Sequence, residues 1–161
     1  MARKPTLMAV QGAALIVGAG YLLLGALGFL PWVTVHHGSL AWAGHQSDAE
    51  LFGIFAVSGL HNVVHLGYGV AGMICARTYA WSRAYLFVGG VLLLGLWIYR
   101  MASDQPSLAH LFPLNRADSW LHFGLGAVMV LLALTLAAQH DPTKPRARAA
   151  ARAKARAKSR A

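Results

Sequence analysis

The sequence predicts an all-α membrane protein built as a bundle of four transmembrane helices. Of its 161 residues, 57% are hydrophobic and 12% are charged, whereas a soluble domain typically carries about 25% charged residues. No Lys, Arg, Asp or Glu occurs between Lys4 and Asp48, or from Leu51 to Ala76. Four apolar segments precede a polar tail. We therefore expect one transmembrane domain over residues 1–140 and a tail over residues 141–161.

The first apolar segment predicts a helix over about residues 7–30. Met1–Lys4 and the following run resemble a signal peptide, but the run is longer than the roughly 7 to 15 residues of a typical h-region. We therefore expect the helix to be retained. Small and polar residues recur along it at alternating spacings of three and four, which places them on one face suited to close helix packing: Gln11, Ala14, Gly18, Tyr21, Gly25 and Gly28.

A second helix is predicted over about residues 48–76. Ser47 is followed three residues later by Glu50, and this is the spacing of a capping box. A capping box marks the start of a helix. The sequence therefore predicts that the second helix begins directly after Ser47.

A third helix is predicted over about residues 84–100, after a short basic connection. Its apolar part would be only about 24 Å long at 1.5 Å per residue, less than the roughly 30 Å hydrocarbon core of a bilayer. We expect Arg83 and Arg100 to extend it by snorkelling to the interfaces. A fourth helix is predicted over about residues 118–138, with Asn115 or Asp118 as its N-cap.

The tail after Asp141 consists almost entirely of Ala, Arg and Lys, and it holds eight of the fourteen basic residues. On a helix its arginines would stack like charges four residues apart, so we predict a disordered tail. Anionic lipid headgroups are its expected partner in preference to nucleic acid, because an anchored tail already lies at the membrane. The expected lipid contacts are its basic side chains: Lys144, Arg146, Arg148, Arg152, Lys154, Arg156, Lys158 and Arg160.

The basic residues also predict the orientation. In a four-pass chain Arg3 and Lys4, the connection Arg77–Arg83 and the tail fall on one side, and only Arg100 and Arg116 fall on the other. Since cytoplasmic loops carry an excess of Lys and Arg, both termini are expected in the cytoplasm. The sequence thus predicts a multi-pass protein of the cytoplasmic (inner) membrane.

The candidate site comes from polar residues inside two apolar helices. One face of the second helix carries polar residues at helical spacing, from Ser58 to His65. The fourth helix carries a similar face that begins with Asp118 and His122. Because both helices begin on the outer side, the two faces can meet in the outer half of the bundle. The expected polar cluster consists of Ser58, His61, Asn62, His65, Asp118 and His122.

Three interpretations of this cluster stay open. The side chains could hydrogen-bond between helices at about 0.6 kcal/mol per contact, with no ion. His61 and His65, at i and i+4, could bind a divalent metal with His122 as third ligand and Asp118 orienting His122, or one of them could pair with His122 on a haem. The cluster could also form a proton or solute path.

Other features carry less weight. His36, His37 and His45 lie in a loop at irregular spacing that fixes no metal geometry. The single cysteine, Cys75, excludes an intramolecular disulfide. The sequence contains no Gly-rich phosphate loop, nucleophile elbow or paired carboxylates, so we predict no enzymatic activity.

Three motifs carry a resemblance to a known family. They are His61-Asn62-Val63-Val64-His65-Leu66 with Gly69, Ala71 and Gly72, Arg83-Ala84-Tyr85 with Gly89-Gly90, and Asn115-Arg116-Ala117-Asp118 with Trp120-Leu121-His122. The motifs resemble those of an uncharacterised family of small four-helix membrane proteins common in actinobacteria and catalogued as domain of unknown function 4383. The resemblance covers about Leu7 to Ala138 and implies a fold and a location. This chain has Ser119 where many members have Asn.

The leading functional hypothesis is a non-enzymatic envelope protein that serves as an accessory or interaction subunit, with a membrane protein or a second copy as partner. Small size, glycine-rich helix faces and the lack of a complete catalytic set motivate it. The first alternative is a redox protein that binds haem or a divalent metal at the histidine cluster. The second is a small transporter or proton path.

Overall fold

The computed structural model describes residues 7–102 and 112–136. The predicted tail with its lipid contacts, the basic residues Arg3 and Lys4, and the side chain of His45 lie outside the described residues. The described structure contains four α-helices, two short 3-10 turns (His37–Ser39 and Gly44–Gln46) and a small sheet. The helices and strands are α1 (Ala9–Leu27), β1 (Thr34–Val35), β2 (Glu50–Leu51), β3 (Phe55–Ala56), α2 (Gly59–Cys75), α3 (Tyr79–Ala102) and α4 (Arg116–Thr135).

Three of the helices, α1, α3 and α4, are long and apolar enough to cross a membrane. The fourth, α2, has 17 residues and is about 26 Å long at 1.5 Å per residue. Large apolar side chains cover the outer surface of the bundle; Ile16 and Leu92 are 75% and 61% exposed. Such an extensive apolar surface is suited to lipid contact. These helices indicate a multi-pass membrane protein.

The predicted small-residue face of α1 is confirmed, and it packs against α2 in an antiparallel pair. Gly18 lies so close to α2 that an added Cβ would be 3.0 Å from the carbonyl oxygen of Gly69. Near the other end of the pair, the Gln11 side-chain amide donates a hydrogen bond to the Ala76 carbonyl oxygen at 3.0 Å. Small residues allow this close backbone approach, which gives membrane helices most of their packing energy.

A second antiparallel pair forms between α3 and α4. A Cβ added at Gly90 would lie 2.8 Å from the Gly126 carbonyl oxygen, and one at Gly126 would lie 2.9 Å from the Gly90 oxygen. The Tyr85 hydroxyl donates a hydrogen bond to the Tyr68 carbonyl oxygen at 3.2 Å, which joins α3 to α2. The two helix pairs thereby form one bundle.

The predicted start of the second helix at residue 48 is wrong. Ser47 does not cap a helix; its hydroxyl donates to the Val57 carbonyl oxygen at 2.5 Å. The intervening residues form the β2–β3 hairpin, whose tip places Phe52 and Gly53 at φ 56° and 66°. These left-handed conformations favour a tight turn and cannot continue an α-helix. The helix starts instead after Ser58, whose hydroxyl oxygen accepts from the His61 backbone amide at 3.2 Å.

The third helix is longer than predicted. It begins at Tyr79 and contains 24 residues, which is about 36 Å at 1.5 Å per residue. Thr78 caps it by accepting a hydrogen bond from the Trp81 amide at 3.3 Å. Ser82 is buried and donates to the Thr78 and Cys75 carbonyl oxygens. Because residues 79–83 of the predicted connection are helical, the helix needs no snorkelling arginines to reach its length.

Two apolar cores lie at opposite ends of the described structure. One, around Leu86 and Met129, joins all four helices near the α2–α3 turn. The other is formed within the segment between α1 and α2 by Ala49, Leu51 and Val57, and it packs against the end of α1. We call this segment, residues 28–58, the cap. The starts of α2 and α4 lie next to the cap, and the candidate site lies on their first two turns.

Candidate metal centre

The structure brings His61, His65 and His122 together. One ring nitrogen of each lies within 4.8 Å of a ring nitrogen of the other two. The His61 ring centroid is 4.3 Å from that of His65 and 6.4 Å from that of His122. His61 and His122 are buried, and His65 is partly buried. The three imidazoles therefore form a compact group between α2 and α4.

Local structure explains the convergence. Ser58 caps α2, so His61 lies on its first turn and His65 lies one turn further along the same face. Asn115 is the N-cap of α4, because its side-chain oxygen accepts a hydrogen bond from the Asp118 amide at 2.9 Å. Of the two predicted N-cap residues, Asn115 is therefore the one confirmed. His122 then lies one turn into α4. Both helices start at the cap, so the three rings meet at the same depth.

Asp118 connects the site to the cap. Its Oδ2 accepts hydrogen bonds from the Asn115 amide at 3.0 Å and from the Ala56 amide of β3 at 3.1 Å. The first bond completes a capping box with Asn115. The Asn115 side chain also donates to the Ile54 carbonyl oxygen at 2.6 Å. Asp118 thus positions the start of α4 through backbone amides, and its carboxylate lies one turn before His122.

Asn62 faces a different neighbour. It is fully buried against Gly28 and Gly25 at the end of α1. Neither Nδ2 nor Oδ1 of its side-chain amide has a hydrogen-bond partner among the described residues. The predicted polar cluster is therefore divided: the three histidines meet, Asn62 packs on α1, and Ser58 and Asp118 cap helices.

A cavity of about 180 Å³ adjoins the three histidines. Tyr21 and Tyr68 contribute to its wall, and the Tyr21 ring lies 5.3 Å from the His65 ring. Phe112 packs edge-on against His61 at 5.9 Å. Sequence reasoning missed all three aromatic residues as parts of the site. Tyr68 had a usable signal, since it lies seven residues after His61 on the same face of α2; Phe112 lies in a loop and had none.

The fold and the site define a class: a small helical membrane protein with a group of three histidines next to the cap. The chain belongs to the family described as Domain of unknown function (DUF4383), whose family model matches residues 11–135. The match spans all four helices and the three histidines, and it confirms the resemblance drawn from the histidine motifs. No curated protein and no solved structure matches the chain.

Proposed function

We propose that this chain is a non-enzymatic, multi-pass membrane protein that binds one divalent transition-metal ion through His61, His65 and His122. The observation that carries the proposal is the convergence of three ring nitrogens within 4.8 Å. Imidazole is a preferred ligand of Zn²⁺, Cu²⁺, Ni²⁺ and Fe²⁺. Three histidines from two helices supply three of the four positions of a tetrahedral site.

The spacing is close to that of a bound ion. With metal–nitrogen bonds of about 2.0 Å, two ligand nitrogens of a tetrahedral ion lie about 3.3 Å apart. The ring nitrogens of His61, His65 and His122 already lie within 4.8 Å.

The space beside the histidines suits an ion better than a haem. Asp118 lies one turn before His122 on α4. Its Oδ2 is engaged by the backbone amides of Asn115 and Ala56. The adjoining cavity of about 180 Å³ is much smaller than a haem macrocycle requires. A single ion is therefore favoured over haem, with its fourth position directed toward the cavity.

The accessory-subunit hypothesis loses one of its supports. The glycine faces that motivated it are used within the chain: Gly18 contacts Gly69, and Gly90 contacts Gly126. These contacts stabilise the bundle itself, so these four glycines give no reason to invoke a partner. The metal proposal rests on a specific arrangement of side chains and is preferred for that reason.

We also propose that the protein resides in the cytoplasmic membrane with its cap outside. Arg77 lies in the α2–α3 turn and Arg83 lies near the start of α3, and both are exposed. The positive-inside rule favours the cytoplasm for this end. The metal centre, next to the cap, would then lie in the outer half of the bilayer. The basic tail would lie against anionic lipid on the inner surface.

Metal titration of the purified protein tests the proposal. The protein in detergent, stripped with a chelator, is titrated with Co²⁺ as a spectroscopic substitute for Zn²⁺, and bound metal is quantified after dialysis. We expect one ion per chain and the visible bands of tetrahedral cobalt. Replacing His122 by Asn removes a ligand, so its affinity should fall by more than the about 10- to 100-fold typical of losing a second-shell partner.

The matched control is His36→Asn, which removes an exposed histidine of the cap and should leave affinity unchanged. Circular dichroism of each variant establishes that the helices persist. Wild-type protein without stoichiometric metal, or equal affinity in His122→Asn and His36→Asn, would refute the metal centre.

A further inference from the structure

The cavity beside the three histidines has the size and walls of a binding site for one ring. Its volume is about 180 Å³, whereas an apolar cavity of about 150 Å³ accommodates benzene. The histidines lie along one part of the wall. The rest is largely apolar and is contributed by α2, α3 and the segment before α4, including Val64, Leu92, Leu93, Leu96, Phe112 and Leu114.

Three buried polar atoms of residues that line the cavity lack a partner among the described residues: the hydroxyl oxygens of Tyr21 and Tyr68 and the Nδ1 atom of His61. Tyr21 is the example that matters most here. Tyr21 is 4% exposed and lines the cavity, and its hydroxyl makes no hydrogen bond within residues 7–102 and 112–136. A hydroxyl left unpaired in an apolar environment is costly, at roughly 2–7 kcal/mol depending on the reference state. A ligand oxygen that accepts a hydrogen bond from Tyr21 would remove this cost.

Part of the cavity wall lies on the outer surface of the bundle. Two of the residues that line it, Val64 on α2 and Leu92 on α3, are 44% and 61% exposed on the outer surface of the bundle. Since α3 is long and apolar enough to cross a membrane, this surface faces the bilayer. A ligand can therefore enter from lipid, and an uncharged one avoids the cost of carrying a charge through hydrocarbon.

We infer that this cavity binds the head group of a lipid-soluble, uncharged ring compound that carries an oxygen substituent, a phenol or a quinone. The ring fills the apolar part of the cavity, and one oxygen accepts a hydrogen bond from Tyr21. The inference rests on the proposed metal centre in one respect. A ligand oxygen that points toward the histidines would occupy the fourth coordination position of the bound ion.

Fluorine NMR on the full-length protein in lipid nanodiscs tests this. Two probes are titrated separately, 4-fluorophenol and 2-fluoro-1,4-benzoquinone, which distinguish the two sources of the oxygen. We expect at least one probe to give a saturable shifted resonance on the wild-type protein. Loss of one neutral hydrogen bond in Tyr21→Phe should weaken binding about fivefold.

The chain offers a matched pair of variants. Val63 and Val64 are both 44% exposed on α2, and only Val64 lines the cavity. Val64→Trp should block the entrance and abolish the shifted resonance, whereas Val63→Trp should preserve it. Equal binding by these two variants, or a resonance no different from that of empty nanodiscs, would overturn the inference and show partition into lipid alone.

Cobalt spectra of the same samples separate the two proposals. Wild-type protein that binds Co²⁺ but shows no saturable probe resonance would refute the ring site and leave the metal centre intact. Protein that binds a probe but no Co²⁺ would refute the metal centre. We expect the bound probe to shift the cobalt bands in wild type and in Val63→Trp, and to leave them unchanged in Val64→Trp.

Discussion

Asp118 is buried at the start of α4, and its carboxylate accepts hydrogen bonds from backbone amides of two separate parts of the chain, Asn115 and Ala56. The bond to Asn115 is local and follows from the capping box. The bond to Ala56 spans 62 positions of sequence and attaches the cap to the bundle. One side chain thereby fixes both the start of α4 and the position of β3 above it.

Replacing Asp118 by Ala should lower the stability of the protein by about 2 kcal/mol or more, because two hydrogen bonds are lost and two amides are left unpaired. Thermal unfolding in detergent, followed by circular dichroism, measures the loss. Asp118→Asn keeps one acceptor oxygen and should fall between wild type and Asp118→Ala.

Asp48 is an exposed aspartate of the same cap, and Asp48→Ala provides the control. Its unfolding midpoint should match that of wild type. A midpoint for Asp118→Ala equal to that of Asp48→Ala would show that the two amide bonds contribute nothing to stability.

At the scale of elements, helix crossings in this bundle depend on where a glycine lies on its helix. Gly124 and Gly126 are two residues apart on α4; an added Cβ at Gly124 meets nothing within 4 Å, and one at Gly126 meets the backbone of α3 at 2.9 Å. Residues two apart face different directions on a helix. The same residue type therefore makes a helix contact at one position and faces outward at the other.

Gly126→Ala should destabilise the protein by about 1–3 kcal/mol, since the added methyl group forces α3 and α4 apart. Gly124→Ala should be neutral or slightly stabilising, because alanine favours a helix more than glycine does. Unfolding midpoints of the two variants, measured side by side in one detergent, check the difference. Equal midpoints would contradict the close crossing of α3 and α4.

For the whole molecule, the arrangement places the three-histidine group between two apolar cores, one in the cap and one near the α2–α3 turn. Under the proposed orientation, the cap faces away from the cytoplasm. Two exposed positions report on the two ends: Gly38 in the cap and Ala80 in the first turn of α3. Gly38 has nothing within 4 Å of an added Cβ, so a cysteine is tolerated there.

In a Cys75→Ala background, a membrane-impermeant maleimide should label Gly38→Cys in intact cells. Ala80→Cys should react only after the membrane is permeabilised. The gel shift of the labelled protein reads out both reactions. Labelling of Ala80→Cys alone in intact cells would reverse the proposed orientation.

The sequence by itself determined that this is a membrane protein with four helices. It also determined the inward face of α1 and the N-cap residue of α4, Asn115. These features depend on local signals: apolar length, helical periodicity and side-chain caps. Periodicity also placed His61 and His65 on one face of their helix. The family motifs, confirmed by the match over residues 11–135, followed from the same stretches.

Only the tertiary structure decided where α2 begins and which polar residues share a site. The Ser47–Glu50 spacing is that of a capping box, but the same spacing occurs here in a loop that leads into a strand. The Ser47 bond to Val57 and the turn at Phe52 and Gly53 decide against a helix at this point. The cavity beside the histidines brings together Tyr21 and Phe112 from distant parts of the chain. No local pattern encodes such a meeting, because it depends on how whole helices pack.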